Sequence, residues 1–400
     1  MLSSIRTGAW IDKDRLLFYP AVIVVFTIAA MTYVLASNGW MLPSGAPYGS
    51  DFISFWTAAR EAVAGNPLVP YERSQFEPAQ LALFPKSVYF AFFYPPHYLM
   101  YLMPLGGLSY YAAFALWVFV TFGAAFWVLV QIAGKPKHLF LLALAFPATF
   151  LTISHGQNAF LSAALFGGGL LLLERRPILA GVLFGLLTFK PQLGLLIPLI
   201  LLAGGHWRVI ISACVTLVIL VLLSALVFGI EVWGSFFAQA DYAVLTMREG
   251  LVSWAKMISI YAGLRIFGFG DSIASILHWL IAAFVAAVTF WAWLPRNKID
   301  LNLKKALVLT AALIVTPFGL NYDMFLLAPA TAFVVVHGME AGFMPYEKST
   351  LAMIYFSPIF VLLSMAGGFS LASIFLIIMF ALILISMRCD TKHNAAVAVL

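Results

Sequence analysis

A chain of 400 residues that is 63% hydrophobic and only 10% charged, with a mean hydropathy of +1.00, has too little polar side chain to cover a water-facing surface, since soluble domains carry roughly 25% charged residues. Its net charge of +6 lies in short basic clusters between apolar runs, the distribution that retains positive loops in the cytoplasm rather than that of a nucleic-acid-binding surface. The two cysteines, Cys214 in an apolar run and Cys389 in the polar tail, make no spaced pair, so neither disulfide nor zinc chemistry is expected.

A bilayer core of about 30 Å asks for roughly 20 apolar residues per helix. The first such segment, residues 17–36, follows Arg6, Lys13 and Arg15; it exceeds the roughly 7–15 residues of a signal-peptide core, so a retained helix is expected. Further apolar segments lie at 110–132, 139–153, 157–173, 178–189, 192–203, 207–229, 272–294, 303–318, 323–337, 350–366 and 369–387. Basic clusters fall at the N-terminus, Lys135 to His138, Glu174 to Arg176, His206 to Arg208, Arg296 to Lys305, Glu347-Lys348 and Arg388 to His393. Placing all of them in the cytoplasm demands an even number of crossings between them, which about twelve crossings with both termini inside satisfy. Several segments are shorter than the ~17-residue lower bound for a span, so breaks or flanking extensions are expected. The fold class is an all-α polytopic membrane protein.

Residues 88–105 do not fit that parity, and Pro95, Pro96 and Pro104 interrupt them. They read as a re-entrant or interfacial element, tolerated where protein or a water-filled cavity satisfies the backbone. Two long segments fall on the outer side, 37–87 and 230–271, and their apolar spacing predicts amphipathic helices on the membrane surface. Trp40, Trp56, Trp233 and Trp254 read as an interfacial aromatic belt.

The polar clusters share the outer face under this threading. They are Gly49-Ser50-Asp51, Tyr94-Pro95-Pro96-His97, Ser154-His155-Gly156-Gln157-Asn158, Phe189-Lys190-Pro191-Gln192 and Asn321-Tyr322-Asp323. Lys190, set in an apolar run, is either a snorkelling turn lysine or a cation that holds a phosphate. Asp51 either caps the helix starting at Phe52 or acts as a general base, and the two roles are compatible. Gln157, Asn158, Asn321 and Asp323 suit sugar hydroxyls or the backbone of their own turns. His97 and His155 stand too far apart to read as metal ligands.

Gly49-Ser50-Asp51-Phe52 with Phe55-Trp56 and Ala58, then Tyr94-Pro95-Pro96, Gly156-Gln157-Asn158, Gly181 to Lys190-Pro191 and Trp207-Arg208 together resemble glycosyltransferase family 87, which includes polyprenol-phosphate-mannose-dependent alpha-1,2-mannosyltransferases. The resemblance runs from residue 49 to about 325. It implies a GT-C fold in a bacterial plasma membrane, with the active site facing the periplasm or exterior. It further implies a polyprenyl-phosphate sugar donor and a glycan or glycolipid acceptor of the cell envelope. The reaction would be inverting and metal-independent, with no cofactor and no nucleic-acid partner. Asp51 would be the catalytic base. Lys190 would hold the donor phosphate, with Lys256, Arg248 or Arg265 as further contributors. Tyr94, His97, His155, Gln157, Asn158, Gln192, Asn321 and Asp323 would meet the sugar or the acceptor. Actinobacterial mannosyltransferases of the family carry a Trp and paired histidines after a late Ser-Pro, where this chain reads Thr316-Pro317-Phe318-Gly319-Leu320-Asn321-Tyr322-Asp323, so mannose rests on resemblance alone. The rival reading is a transporter or flippase of a lipid-linked or anionic substrate, for which a half-to-half repeat is expected and none is evident.

Overall fold

The computed structural model describes residues 2–39, 41–42 and 45–397, the side chains of 391–397 excepted; Trp40 lies outside the described residues. Every regular element among these residues is a helix. In chain order they are α1 (Leu2–Thr7), α2 (Lys13–Ser37), α3 (Phe52–Val63), α4 (Arg73–Leu83), α5 (His97–Gly106), α6 (Tyr110–Ala133), α7 (Leu139–Ala145), α8 (Pro147–His155), α9 (Ala159–Leu172) and α10 (Pro177–Leu186). The second half holds α11 (Ile197–Ala203), α12 (Trp207–Phe228), α13 (Glu231–Ala238), α14 (Ala240–Arg248), α15 (Ile260–Ile266), α16 (Asp271–Trp293), α17 (Leu301–Val315), α18 (Leu327–Ala341), α19 (Glu347–Ala366) and α20 (Ala372–Val397).

Each of the expected apolar segments falls on helix, but not all on long ones. Among the described residues seven stretches are long and apolar enough to cross a membrane: α2, α6, α12, α16, α19, α20 and the run Asn321–Ala341 that ends in α18. The other segments are shorter helices. Pro147 splits 139–153 into α7 and α8, because its ring cannot continue the preceding turn. Around Lys190 the chain leaves α10 through two 3-10 turns, Leu187–Phe189 and Pro191–Leu193, before α11 begins. Helix α9, and α17 from Ala306 onward, are mostly apolar and buried on nearly every side, as expected of helices enclosed by others. Helix α12 instead exposes a long series of Ile, Leu and Val, the surface a lipid-facing helix presents.

Helices α10 and α12 pack tightly along their lengths. Gly181 and Gly185, four apart on one face of α10, make it possible: a Cβ on Gly181 would sit 2.5 Å from the Val209 carbonyl oxygen, and one on Gly185 2.5 Å from the Thr216 Cβ. This is the small-xxx-small packing of membrane helices, and it fixes the stem from which Lys190 projects.

The two long segments depart from the expectation in one respect. Helix α3 does not lie on a surface: all eight residues from Phe52 to Ala59 are buried, between α5 on one side and the rings of Tyr110, Phe114 and Trp117 of α6 on another. Trp56 accordingly belongs to the core, its indole N–H donating to the Leu108 carbonyl at 3.0 Å, and not to an interfacial belt. By contrast α13 and α14 each bury a single residue, which is the amphipathic pattern. Helix α5, ten residues long, falls below the ~17-residue lower bound for a span and buries Tyr98, Leu99 and Leu102 completely.

Candidate active site

The site is assembled on the turn between α8 and α9. Gly156 ends α8 in the left-handed conformation, φ +66°, which favours glycine. Space demands it as well, since a Cβ there would meet the Phe52 Cβ at 2.5 Å. The turn is thus pressed against the start of α3. Two backbone hydrogen bonds clip them together, Gly49 N–H to the Ser154 carbonyl at 3.2 Å and Asp51 N–H to the His155 carbonyl at 3.1 Å. The Tyr110 hydroxyl locks the same segment by donating to the Gly49 carbonyl at 2.7 Å.

Asp51 arrives beside Gln157 as a result. The Gln157 amide Nε2 donates to Asp51 Oδ2 at 3.0 Å, and Ser50 Oγ donates to Oδ1 at 3.2 Å. The carboxylate makes no cap bond to α3, and Asp51 has helical backbone angles of −72° and −19° rather than the extended ones of an N-cap. Capping is therefore not its role. The amide orientation of Gln157 is set by its other partner, for Oε1 accepts from the Tyr94 hydroxyl at 3.3 Å, leaving Nε2 for the carboxylate. Burial, with the Asp323 and Asp51 carboxylates nearby, pushes the Tyr94 phenol above its ordinary pKa, which keeps it a donor.

A second cluster adjoins the first. Lys190 is only 4% exposed and Asp323 only 1%, and Lys190 Nζ pairs with Asp323 Oδ1 at 2.5 Å. The same ammonium donates to Asn158 Oδ1 at 3.1 Å and stands 5.3 Å from the centre of the Tyr322 ring. Asn158 Nδ2 donates in turn to the Tyr98 hydroxyl at 3.3 Å, and Tyr98 stacks on Phe189 at 4.7 Å. Asp323 Oδ2 accepts the Leu320 N–H at 3.1 Å, closing the 3-10 turn Asn321–Leu326. Gln157 and Asn158 are consecutive, and the Tyr94 and Tyr98 rings lie 4.7 Å apart, so the two clusters form one polar network.

The remaining expected residues divide. His155 is half-buried, its Nδ1 taken up by the Ser154 hydroxyl and the Leu151 carbonyl, its ring 5.9 Å from that of Tyr322. Asn321 is buried and turns its amide to the Met365 sulfur at 3.4 Å, away from Lys190. Gln192 is half-buried and joins none of these hydrogen bonds. His97 packs against Trp233 and reaches only Thr188 Oγ1 at 3.4 Å. Arg248 faces Asp271 at 3.5 Å, and Arg265 donates to the Arg248 carbonyl and stacks over Trp254; neither bonds to Asp51 or the Lys190 pair. Lys256 is exposed, but the next residue, Met257, bridges to Leu320, which sets it against the turn that bears Asp323.

Tyr98 and Tyr322 belong to this network without having been expected there. Tyr98 lies one helical turn after Tyr94, and that spacing was a signal. Tyr322 sits between two residues already singled out. It is 5% exposed, and its ring lies beside the Lys190 ammonium.

Apolar helices of spanning length around a buried, charged network define a polytopic membrane protein with its polar site where the ends of α8, α9, α10 and α18 meet. The sequence model of glycosyltransferase family 87 matches residues 92–317, more than half of the chain, and the chain belongs to that family. It is a membrane glycosyltransferase. The matched stretch takes in Tyr94, Gln157, Asn158, Lys190 and Lys256; Asp51 precedes it and Asp323 follows it. No curated protein and no solved structure matches the chain.

Proposed function

We propose that this protein transfers a hexose, mannose by family resemblance, from a polyprenyl-phosphate donor to a hydroxyl of a cell-envelope glycan or glycolipid, with inversion and without a metal ion. Asp51 accepts the proton of the acceptor hydroxyl as its oxygen attacks the anomeric carbon. The bond from that carbon to the phosphate oxygen breaks, and polyprenyl phosphate leaves with the electron pair. The observation that carries this reading is the Asp51 carboxylate, half-buried, spared from capping and oriented by two side-chain donors. A general base needs that preorganisation.

The leaving phosphate calls for fixed positive charge. Lys190 was the first candidate from sequence, and in the fold Asp323 already neutralises it. We assign the direct phosphate contact to Lys256, and to Lys190 the holding of Asn158 and Asp323 beneath the sugar. Arg248 and Arg265 stand further out, engaged with Asp271 and Trp254. Loss of a general base lowers turnover by about 10²–10⁴-fold, so Asp51→Asn should bind the donor normally while kcat falls by that factor. Transfer by Asp51→Asn at the wild-type rate would remove Asp51 as the base.

A further inference from the structure

At the opposite end of the helices that carry the site, α6, α9, α17 and α18 border a cavity of about 300 Å³. With α9 rising 1.5 Å per residue, the cavity lies roughly 20 Å from Asn158. Lys305, in the first turns of α17, lines it. The side chain is 7% exposed, its ammonium 5.4 Å from the centre of the Phe333 ring. Among the described residues Lys305 has neither an ion pair nor a hydrogen bond. Glu174 and Asp300 act on it only from beyond ion-pair distance, and a buried ammonium without a direct partner is unfavourable; the buried Lys190, by contrast, is paired with Asp323.

We propose that this cavity binds a singly charged phosphodiester, with Lys305 as the direct cation. Three further donors line the space, the Arg175 guanidinium and the side-chain amides of Gln131 and Asn302. Glu174 and Glu340 also border it, but both are exposed and neither comes within ion-pair distance of Lys305. Carboxylates at the mouth oppose a second negative charge, which disfavours multiply charged nucleotides and leaves room for one anionic group. The volume is at the lower end of the range for ligand pockets, roughly 300–1,000 Å³. Basic pockets between membrane helices hold lipid headgroups in this way. The site is independent of the transferase network, and its ligand shares no residue with Asp51 or Lys190.

The test uses the full-length protein and two probes, phosphatidylglycerol in nanodiscs otherwise made of phosphatidylcholine, and dimethyl phosphate, a soluble singly charged phosphodiester, in detergent. Retained lipid is counted by native mass spectrometry and dimethyl phosphate binding by calorimetry. Saturable phosphatidylglycerol binding that weakens at least tenfold in Lys305→Met, and survives in Lys305→Arg, supports the proposal with a lipid as the source. The same pattern with dimethyl phosphate supports it with a soluble source. Thermal unfolding reports whether Lys305→Met folds; should it not, Arg175→Gln must weaken the same binding several-fold. Equal binding by wild type and the variant, or no saturable binding of either probe because the cavity holds only water, overturns it.

Discussion

Lys190 and Asp323 are 133 positions apart and meet at 2.5 Å in the interior. A buried pair of this kind adds little net stability, because removing both ions from water offsets most of their attraction. Removing one partner is another matter, since it strands a charge. Lys190→Met and Asp323→Leu should each destabilise the fold by about 3–5 kcal/mol, while the double variant should lose far less than the sum. Thermal unfolding of the four proteins in detergent measures the coupling, and additive losses would show that the pair does not act as a unit. Asp51 differs because it is half-buried and has only hydrogen-bond donors for company. At the residue scale, then, one carboxylate is consumed in holding the site together and the other is left available for chemistry. In the sequence only the family resemblance distinguished them, for both stood in short polar clusters at the ends of apolar runs.

The turn between α8 and α9 is the element on which the site depends. It receives α3 through two backbone hydrogen bonds and presents Gln157 to Asp51 and Asn158 to Lys190. Gly156→Ala would force a side chain into the left-handed region, at a cost of about 1–3 kcal/mol, and drive its Cβ into Phe52. The expected outcome is a folded protein with modestly lowered thermal stability and sharply lowered turnover, since Gln157 shifts with the turn. Unchanged kcat in Gly156→Ala would mean that this alignment does not matter. The neighbouring interface of α10 with α12 follows the same logic, with Gly181 and Gly185 admitting backbone and side-chain atoms that no other residue would leave room for.

For the whole molecule the charge pattern predicts that the Asp51 end faces outward and the Lys305 end faces the cytoplasm. The opposite placement of the two ends along α6, α9 and α18 is consistent with a polarised protein. Cysteine labelling decides the direction, after Cys214 and Cys389, both exposed and free, have been replaced by serine. Lys86→Cys should react with an impermeant reagent on intact cells, whereas Arg175→Cys and Arg296→Cys should react only after permeabilisation. Labelling of Arg175→Cys from outside would invert the topology.

Composition and apolar run length were enough to read an all-helical membrane protein and to place its apolar segments, because a bilayer constrains local sequence and needs no partner to do so. The ordered short motifs were enough for the family, since their sequence order and spacing along the chain are together specific. Which segments are long helices, and which break around Phe146 or Lys190, depended on prolines acting together with neighbouring helices. Burial of α3 was not legible either: its amphipathic spacing describes one apolar face, and only packing against α5 and α6 covers the other. Above all, the assignment of Asp323 as the partner of Lys190, leaving Asp51 free, required the tertiary structure. Charges distant in sequence select their partners by distance and desolvation, and neither is written in local sequence.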